Sequence, residues 1–287
     1  MTSSPISSNE LIACSHTLFA ESTKKYKHSR YSQTATLVLS IASVFVPQQL
    51  IVYMLALCAF ASQSVAWVLR ARASRFHVDG DEARMRSVLF DAFGAAAESL
   101  ELNNLLARIG TRMRAAANRE LNPDYYASSL PSGATRLRDH LQENCFWSKH
   151  LYEAARKQYA GLLAIFVTIA VGAILVAFPL APRGQSLILA KVIVSVLSFG
   201  AALTQLNEIL AWRLAANKNE ILDRRLDLLA RHSENELRMG QLPGLLAVFG
   251  DYCVASSLAP PIPQFVYRKE RARLNTLWDE RTQVVRP

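Results

Sequence analysis

Residues 31–69 read YSQTATLVLSIASVFVPQQLIVYMLALCAFASQSVAWVL, an uncharged run bracketed by Arg30 and Arg70 and interrupted near its middle by Pro47-Gln48-Gln49. One helix needs about 20 apolar residues to cross a hydrocarbon core of about 30 Å. The run therefore holds two crossings and a polar turn, a membrane hairpin. A second hairpin is expected to rise from Tyr159 to Phe178, turn through Pro179-Leu180-Ala181-Pro182-Arg183-Gly184-Gln185 and return from Ser186 to Leu210. Lys191 is the only formal charge in the return helix before Glu208, and it lies close enough to the turn to snorkel outward.

Basic residues give the sidedness, because short loops rich in Lys and Arg stay cytoplasmic. Of 32 Lys and Arg, only Arg183 and Lys191 fall on the side of the turns. Both termini and the central segment are thus expected in the cytoplasm. No basic stretch runs directly into a short apolar one at the N-terminus, which argues against a cleaved signal. Cys14, Cys58, Cys145 and Cys253 are widely spaced, fall in membrane or cytoplasm and predict neither a disulfide framework nor a metal knuckle. The net charge of +9 sits largely beside the membrane ends, where anionic headgroups account for it better than a nucleic acid polymer does.

The expected class is all-α, with four transmembrane helices in two hairpins and a helical cytoplasmic domain. Residues 1–30 form a cytoplasmic amphipathic helix whose Leu11, Ile12, Cys14, Leu18 and Phe19 lie either on the membrane or against the soluble domain. Residues 31–70 are the first hairpin, 71–158 the helical cytoplasmic domain, 159–210 the second hairpin, and 211–287 a cytoplasmic helical extension and basic tail. Within the central domain Leu102, Leu105, Leu106, Ile109 and Met113 make one apolar stripe, with Arg108, Arg112 and Arg119 on another face. Asn122-Pro123-Asp124 breaks that helix. Tyr125-Tyr126 and Leu130-Pro131-Ser132-Gly133 form a loop, and a new helix from Ala134 runs on into the membrane. From Leu210 to Met239 there is no Pro or Gly, so the fourth crossing is expected to continue inward on a face of Leu214, Ile221, Leu222, Leu226 and Leu229 until Gly240, Pro243 and Gly244 end it. Pro260-Pro261-Ile262-Pro263 then precedes a basic helix from Phe265 to Glu280.

Asp79-Gly80-Asp81-Glu82-Ala83-Arg84 opens like the metal-binding motif of lipid-headgroup phosphotransferases. The continuation fails, with Phe93 where Gly is required and Ala97 and Glu101 where the aspartates belong. Asp79-Gly80 is accordingly read as a turn. There is no GxSxG, GxxxxGK[ST] or GxGxxG, and no HxxxH or HExxH spacing. His140 and Cys145 are about 140° apart on one helix, which suits packing better than a nucleophile and base. No catalytic residue, metal or cofactor is expected.

Polar residues in membrane segments are costly and usually face a bundle interior or water. Gln63 and Ser64 in the second crossing, and Ser195, Ser198 and Gln205 in the fourth, are therefore candidates to line a pore in a homo-oligomer; ordinary interhelical hydrogen bonding is the other reading. Two basic clusters, Arg108, Arg112, Arg114 and Arg224, Arg225, Arg231, are candidates to hold an anionic ligand such as a nucleotide, against a plain solvated helix face.

Three patches carry a family resemblance. Asp124-Tyr125-Tyr126 to Leu130-Pro131, Arg136-Leu137 and Gln142-Glu143-Asn144-Cys145-Phe146-Trp147-Ser148-Lys149 form the first. Phe90-Asp91 is the second and Ile262-Pro263-Gln264-Phe265-Val266-Tyr267-Arg268 the third. With the order hairpin, helical segment, hairpin and basic tail, the chain resembles the SMODS-associating four-transmembrane effector family of bacterial conflict systems. Gly94-Ala95-Ala96-Ala97 departs from the family in lacking an aromatic residue. The resemblance implies a bacterial inner-membrane effector in cyclic-oligonucleotide antiphage signalling, triggered by a second messenger and acting by permeabilising the membrane. It implies no catalytic residues.

Overall fold

The computed structural model describes residues 7–94, 99–119, 128, 130–180, 186–232 and 234–285, and among them the chain is helical with no strand. Four long helices dominate: α1 (Ser8–Phe45), α2 (Gln49–Phe93), α4 (Ala134–Leu180) and α5 (Ser186–Leu229). Between the pairs lies α3 (Ser99–Ala117). After α5 come a three-residue α6 (Glu234–Glu236), a π-helical turn (Leu237–Gln241), α7 (Leu242–Leu258) and α8 (Gln264–Val285).

A capping box starts α1: the Ser7 hydroxyl accepts from the Glu10 N–H, and the Glu10 carboxylate accepts from the Ser7 N–H. The helix then runs unbroken through the expected amphipathic segment into the hairpin. Leu11, Ile12, Cys14 and Leu18 are buried, so this segment packs on the protein. The turn falls at Val46-Pro47-Gln48, as the sequence indicates.

What joins α1 to α2 is a repeat of small residues. Ser8, Ser15, Ser22, Ser29, Thr36 and Ser43 recur every seventh position of α1, and Val52, Ala59, Ala66, Ala73, Gly80 and Ser87 do so on α2. Hydroxyls of α1 donate directly to α2 carbonyls: Ser22 to Ala73 at 2.7 Å, Ser29 to Ala66 at 2.8 Å and Thr36 to Ala59 at 3.4 Å. At the open end Ser8 and Ser87 exchange hydroxyl-to-carbonyl bonds at 3.0 and 2.9 Å. Such contacts require closely approaching backbones, which small side chains permit. A seven-residue period also keeps the seam in contact over the full length of a left-handed supercoil.

Gly80 belongs to this seam. A Cβ there would lie 3.2 Å from Leu18 Cβ and from the Phe19 ring. Asp79-Gly80 is thus the interior of α2 rather than a turn; close packing against α1 selects the glycine. The stripe of α3 faces the protein: Leu105 and Ile109 are buried against Ala13, Cys14, Leu18 and Ala83, and Met113 packs on the same cluster, although Gly110, at φ 77° and ψ 159°, kinks the helix between them. One other expectation needs correction. The helix that continues the expected fourth crossing ends at Leu229 instead of near Met239, because the chain folds back to bury Leu237, Leu245 and Val248 on Leu222 and Leu226. Leu214 and Ile221, assigned to the same apolar face, are exposed. Asn122 to Tyr126 lie outside the described residues.

The lower halves of α2, α4 and α5 enclose one core with α7, built on Val88, Leu137, Leu141, Leu226, Leu245 and Tyr252. The central segment and the tail therefore share a bundle. Tail helix α8 docks on α4 through Leu274 and Trp278 against Phe146.

Among the described residues one helix, α2, is long and apolar enough to cross a membrane. Its outward residues Leu50, Met54, Leu57, Phe60, Trp67 and Val68 are all exposed. The side chains of 173–180 and 186–199, in the expected third and fourth crossings, lie outside the described ones.

Candidate functional site

Where the two hairpins meet the bundle, α5 inserts Glu208 between α1 and α2. The carboxylate is 8% exposed. Arg30 of α1 donates to Oε2 at 3.1 Å, Arg70 of α2 reaches Oε1 at 2.8 Å, and the Tyr26 hydroxyl donates to Oε2 at 2.8 Å. Arg30 also lies over the Tyr159 ring of α4, 4.4 Å from its centroid. One buried anion thus holds the two arginines that bracket the first apolar run, and four helices converge on it. Low dielectric strengthens these pairs, and hydrogen bonds at both oxygens offset the desolvation of the carboxylate.

Three further carboxylates tie the bundle below. Asp81 accepts from Arg84 at 2.6 Å and from the Ser256 hydroxyl at 2.8 Å, while Arg84 also donates to that hydroxyl at 2.8 Å, closing a triangle between α2 and α7. His77 stands beside it, 3.4 Å from the Ser256 carbonyl, and burial pushes its pKa down. Asp91 takes a two-pronged contact from Arg136, at 2.7 and 3.0 Å, and lies 2.6 Å from His140 Nε2. Burial lowers the His140 pKa although Asp91 opposes it. Asp223 of α5 receives Lys149 at 2.8 Å and both terminal nitrogens of Arg281, fastening α8.

Between α4 and α5 opens a cleft of about 430 Å³ lined by Lys149, His150, Arg156, Arg213 and Asn217, with Glu153 and Glu220 at its sides. Burial comes first, and Lys149 and Arg273 add to it, in holding the His150 pKa below its usual value. Two of its cations are already engaged, Lys149 by Asp223 and Arg156 by Glu153, and the carboxylates of Glu153 and Glu220 share the lining.

The residues expected to carry function are dispersed. Gln63 is 1% exposed inside the first hairpin, and neither end of its amide has a hydrogen-bond partner. Ser64 bonds back to the Phe60 carbonyl at 2.9 Å, and Gln205 is 8% exposed. Ser195 and Ser198 lie in α5 beyond the described side chains. Arg108 is bound to Asp79 and Glu82, Arg224 to Glu220 and Arg225 to Asp251. Arg114 edges a small pocket with Glu10 and Cys14. Arg112 and Arg231 are exposed. His140 and Cys145 are both fully buried; the first contacts Asp91, and burial raises the thiol pKa of the second. No group of three His, Cys, Asp or Glu among the described residues could hold a metal.

Sequence reasoning gave no role to Glu208 or Asp223 and met Asp81 only inside a motif that fails. Glu208 stands among uncharged helical neighbours and Asp81 among apolar or basic ones, which was their trace; Asp223, with Glu220 three positions before it and Asp227 four after, had none. Comparison with family models, curated proteins and solved structures found no match.

Proposed function

We propose that the chain is a four-crossing protein of the bacterial inner membrane with both termini cytoplasmic. It would act as an effector of antiphage defence that permeabilises the membrane when a nucleotide second messenger or a partner engages its cytoplasmic helices. The observation that carries the membrane part is an inside-out distribution above the Glu208 level. Serines and Gln33 are buried between α1 and α2, while Leu57, Phe60, Trp67, Ile165 and Ile169 face outward. Water disfavours such a surface and lipid accepts it.

The effector part rests on the resemblance and on mechanical connection. All four long helices run from the membrane level into the bundle, so a ligand that favours a second packing of the bundle would move the crossings with it. An anionic cleft ligand between α4 and α5 would act directly on the two helices of the second hairpin. Gln63, Ser64, Ser195, Ser198 and Gln205 remain the lining candidates, and with Gln63 and Gln205 buried, lining requires rearrangement in an oligomer.

A non-gated structural protein is the second reading, favoured by the burial of Gln63 between helices. Liposomes holding the purified chain separate the two. Dye leakage that rises with one member of a cyclic oligonucleotide panel supports the effector. Unchanged leakage across the panel, with membrane potential intact during infection of expressing cells, defeats it.

A further inference from the structure

The tail comes back to the charged level between α7 and α8. Residues 259–263, Ala-Pro-Pro-Ile-Pro, join the two helices, and the Trp212 indole donates to the Pro260 carbonyl at 3.2 Å. Trp212 lies four positions beyond Glu208, about 6 Å along α5. Val266 of α8 is fully buried with Tyr159, Ile209 and Trp212, and the Phe265 ring stands 6.3 Å from that of Tyr159. From this corner α8 leads away: Leu274 and Trp278 pack on Phe146, thirteen positions before Tyr159 and about 20 Å along α4.

Several features of the corner have no use inside the chain. Leu258, the last residue of α7, is 77% exposed, more than any outward residue of α2, and Phe265 is 52% exposed. Arg268, Lys269 and Arg271 are exposed too, with no carboxylate partner among the described residues. The charge of α8 is segregated along its length. Arg268, Lys269, Arg271 and Arg273 stand in the half nearer the corner against Glu270 alone, while Asp279 and Glu280 stand in the far half, where Arg281 turns inward to Asp223. A helix gains from the reverse order, and α8 has no acidic residue in its first turn and no basic one in its last.

We infer that the α7–α8 corner is a docking site for anionic phospholipid of the bilayer that the chain spans, which rests on the membrane reading above. The headgroup layer is roughly 5 to 8 Å deep on each side of the hydrocarbon. A corner about 6 Å from Glu208 lies within that layer. Leu258 and Phe265 then meet the acyl boundary. Arg268 and Lys269, which share the outward side of α8 with Phe265, reach the phosphates by extending their long side chains. An uncharged lipid would cover Leu258 and Phe265 and leave the cations unmatched, and a soluble anion would do the reverse; an anionic phospholipid matches both.

Dye quenching on the full-length chain in vesicles tests the site. In a background lacking the four natural cysteines, Phe265→Cys, Phe60→Cys and Asp279→Cys each carry an environment-sensitive dye. The vesicles are phosphatidylcholine with or without phosphatidylglycerol, doped with a lipid spin-labelled either near its headgroup or deep in its acyl chain. The shallow label should quench the dye at 265, several-fold more strongly when phosphatidylglycerol is present; the deep label should quench at 60, and neither should quench at 279. Arg268→Glu with Lys269→Glu should abolish the phosphatidylglycerol-dependent part at 265, and both sites being exposed, the unfolding temperature should stay unchanged. Equal quenching at 265 in the two lipid mixtures overturns the proposal. So do equal quenching at 265 and 279, and unchanged quenching after the charge reversal. Quenching at 60 with none at 265 sinks the corner alone, whereas no quenching at 60 sinks the membrane reading and the corner with it.

Discussion

Glu208 has more depending on it than any other single side chain, because Arg30 and Arg70 lose their shared counter-charge without it. Glu208→Gln keeps the shape and removes the charge; breaking a buried pair in this way costs about 3 kcal/mol. A clear drop in unfolding temperature in detergent is expected, with Glu208→Asp intermediate. The histidines set a different dependence. His77 and His140 have depressed pKa values in the folded chain, so each favours folding fully above its unfolded pKa of about 6.5 and loses that contribution as pH falls through the folded value. Stability should therefore fall between about pH 6.5 and the acid range. His140→Gln should flatten that slope, which denaturant midpoints measured at several pH values will read.

At the scale of elements, the α1–α2 pair was only half legible. Pro47 marked the turn and Arg30 and Arg70 marked the ends, since charge and proline act locally. The seven-residue run of serine and alanine went unread because small residues contribute little to an apolar pattern, and serines in a membrane segment look like defects until carbonyls 2.7 and 2.8 Å away account for them. Gly80 was misread for the same reason: its role depends on Leu18 and Phe19, some sixty positions earlier. Gly80→Ala should push the helices apart and cost about 1 kcal/mol net, overpacking exceeding the helix propensity gained. Ser29→Leu should cost more. Thermal unfolding followed by circular dichroism would rank them, and equal stability of Ser29→Leu and the parent would refute the close-packed seam.

Across the whole molecule, helix starts such as Ala134 were legible from local breakers, whereas the early end of α5 at Leu229 was not. Nothing near Ala230 forbids a helix; burial of Leu237 and Leu245 on Leu226 ends it. The site was less legible than the fold, because Glu208 meets Arg30 and Arg70 from about 140 to 180 positions away. Topology has its own test: Gln48→Cys in the first turn and Gly184→Cys in the second should react with an impermeant maleimide added to intact cells, and Lys269→Cys only after lysis. Reaction of Lys269→Cys in intact cells would reverse the sidedness.

A ladder as uniform as the one between α1 and α2 carries little address. Moved along by seven residues, nearly every hydroxyl would find an equivalent carbonyl, and within the seam it is Gly80, beside Leu18 and Phe19, that tells the native alignment from its neighbour. The rest of that choice belongs to the three residues Val46-Pro47-Gln48, too short to pay out another two turns of helix. Seven residues inserted there would create a second allowed alignment, with Arg30 and Arg70 drawn about 10 Å out of step and only one of them able to reach Glu208.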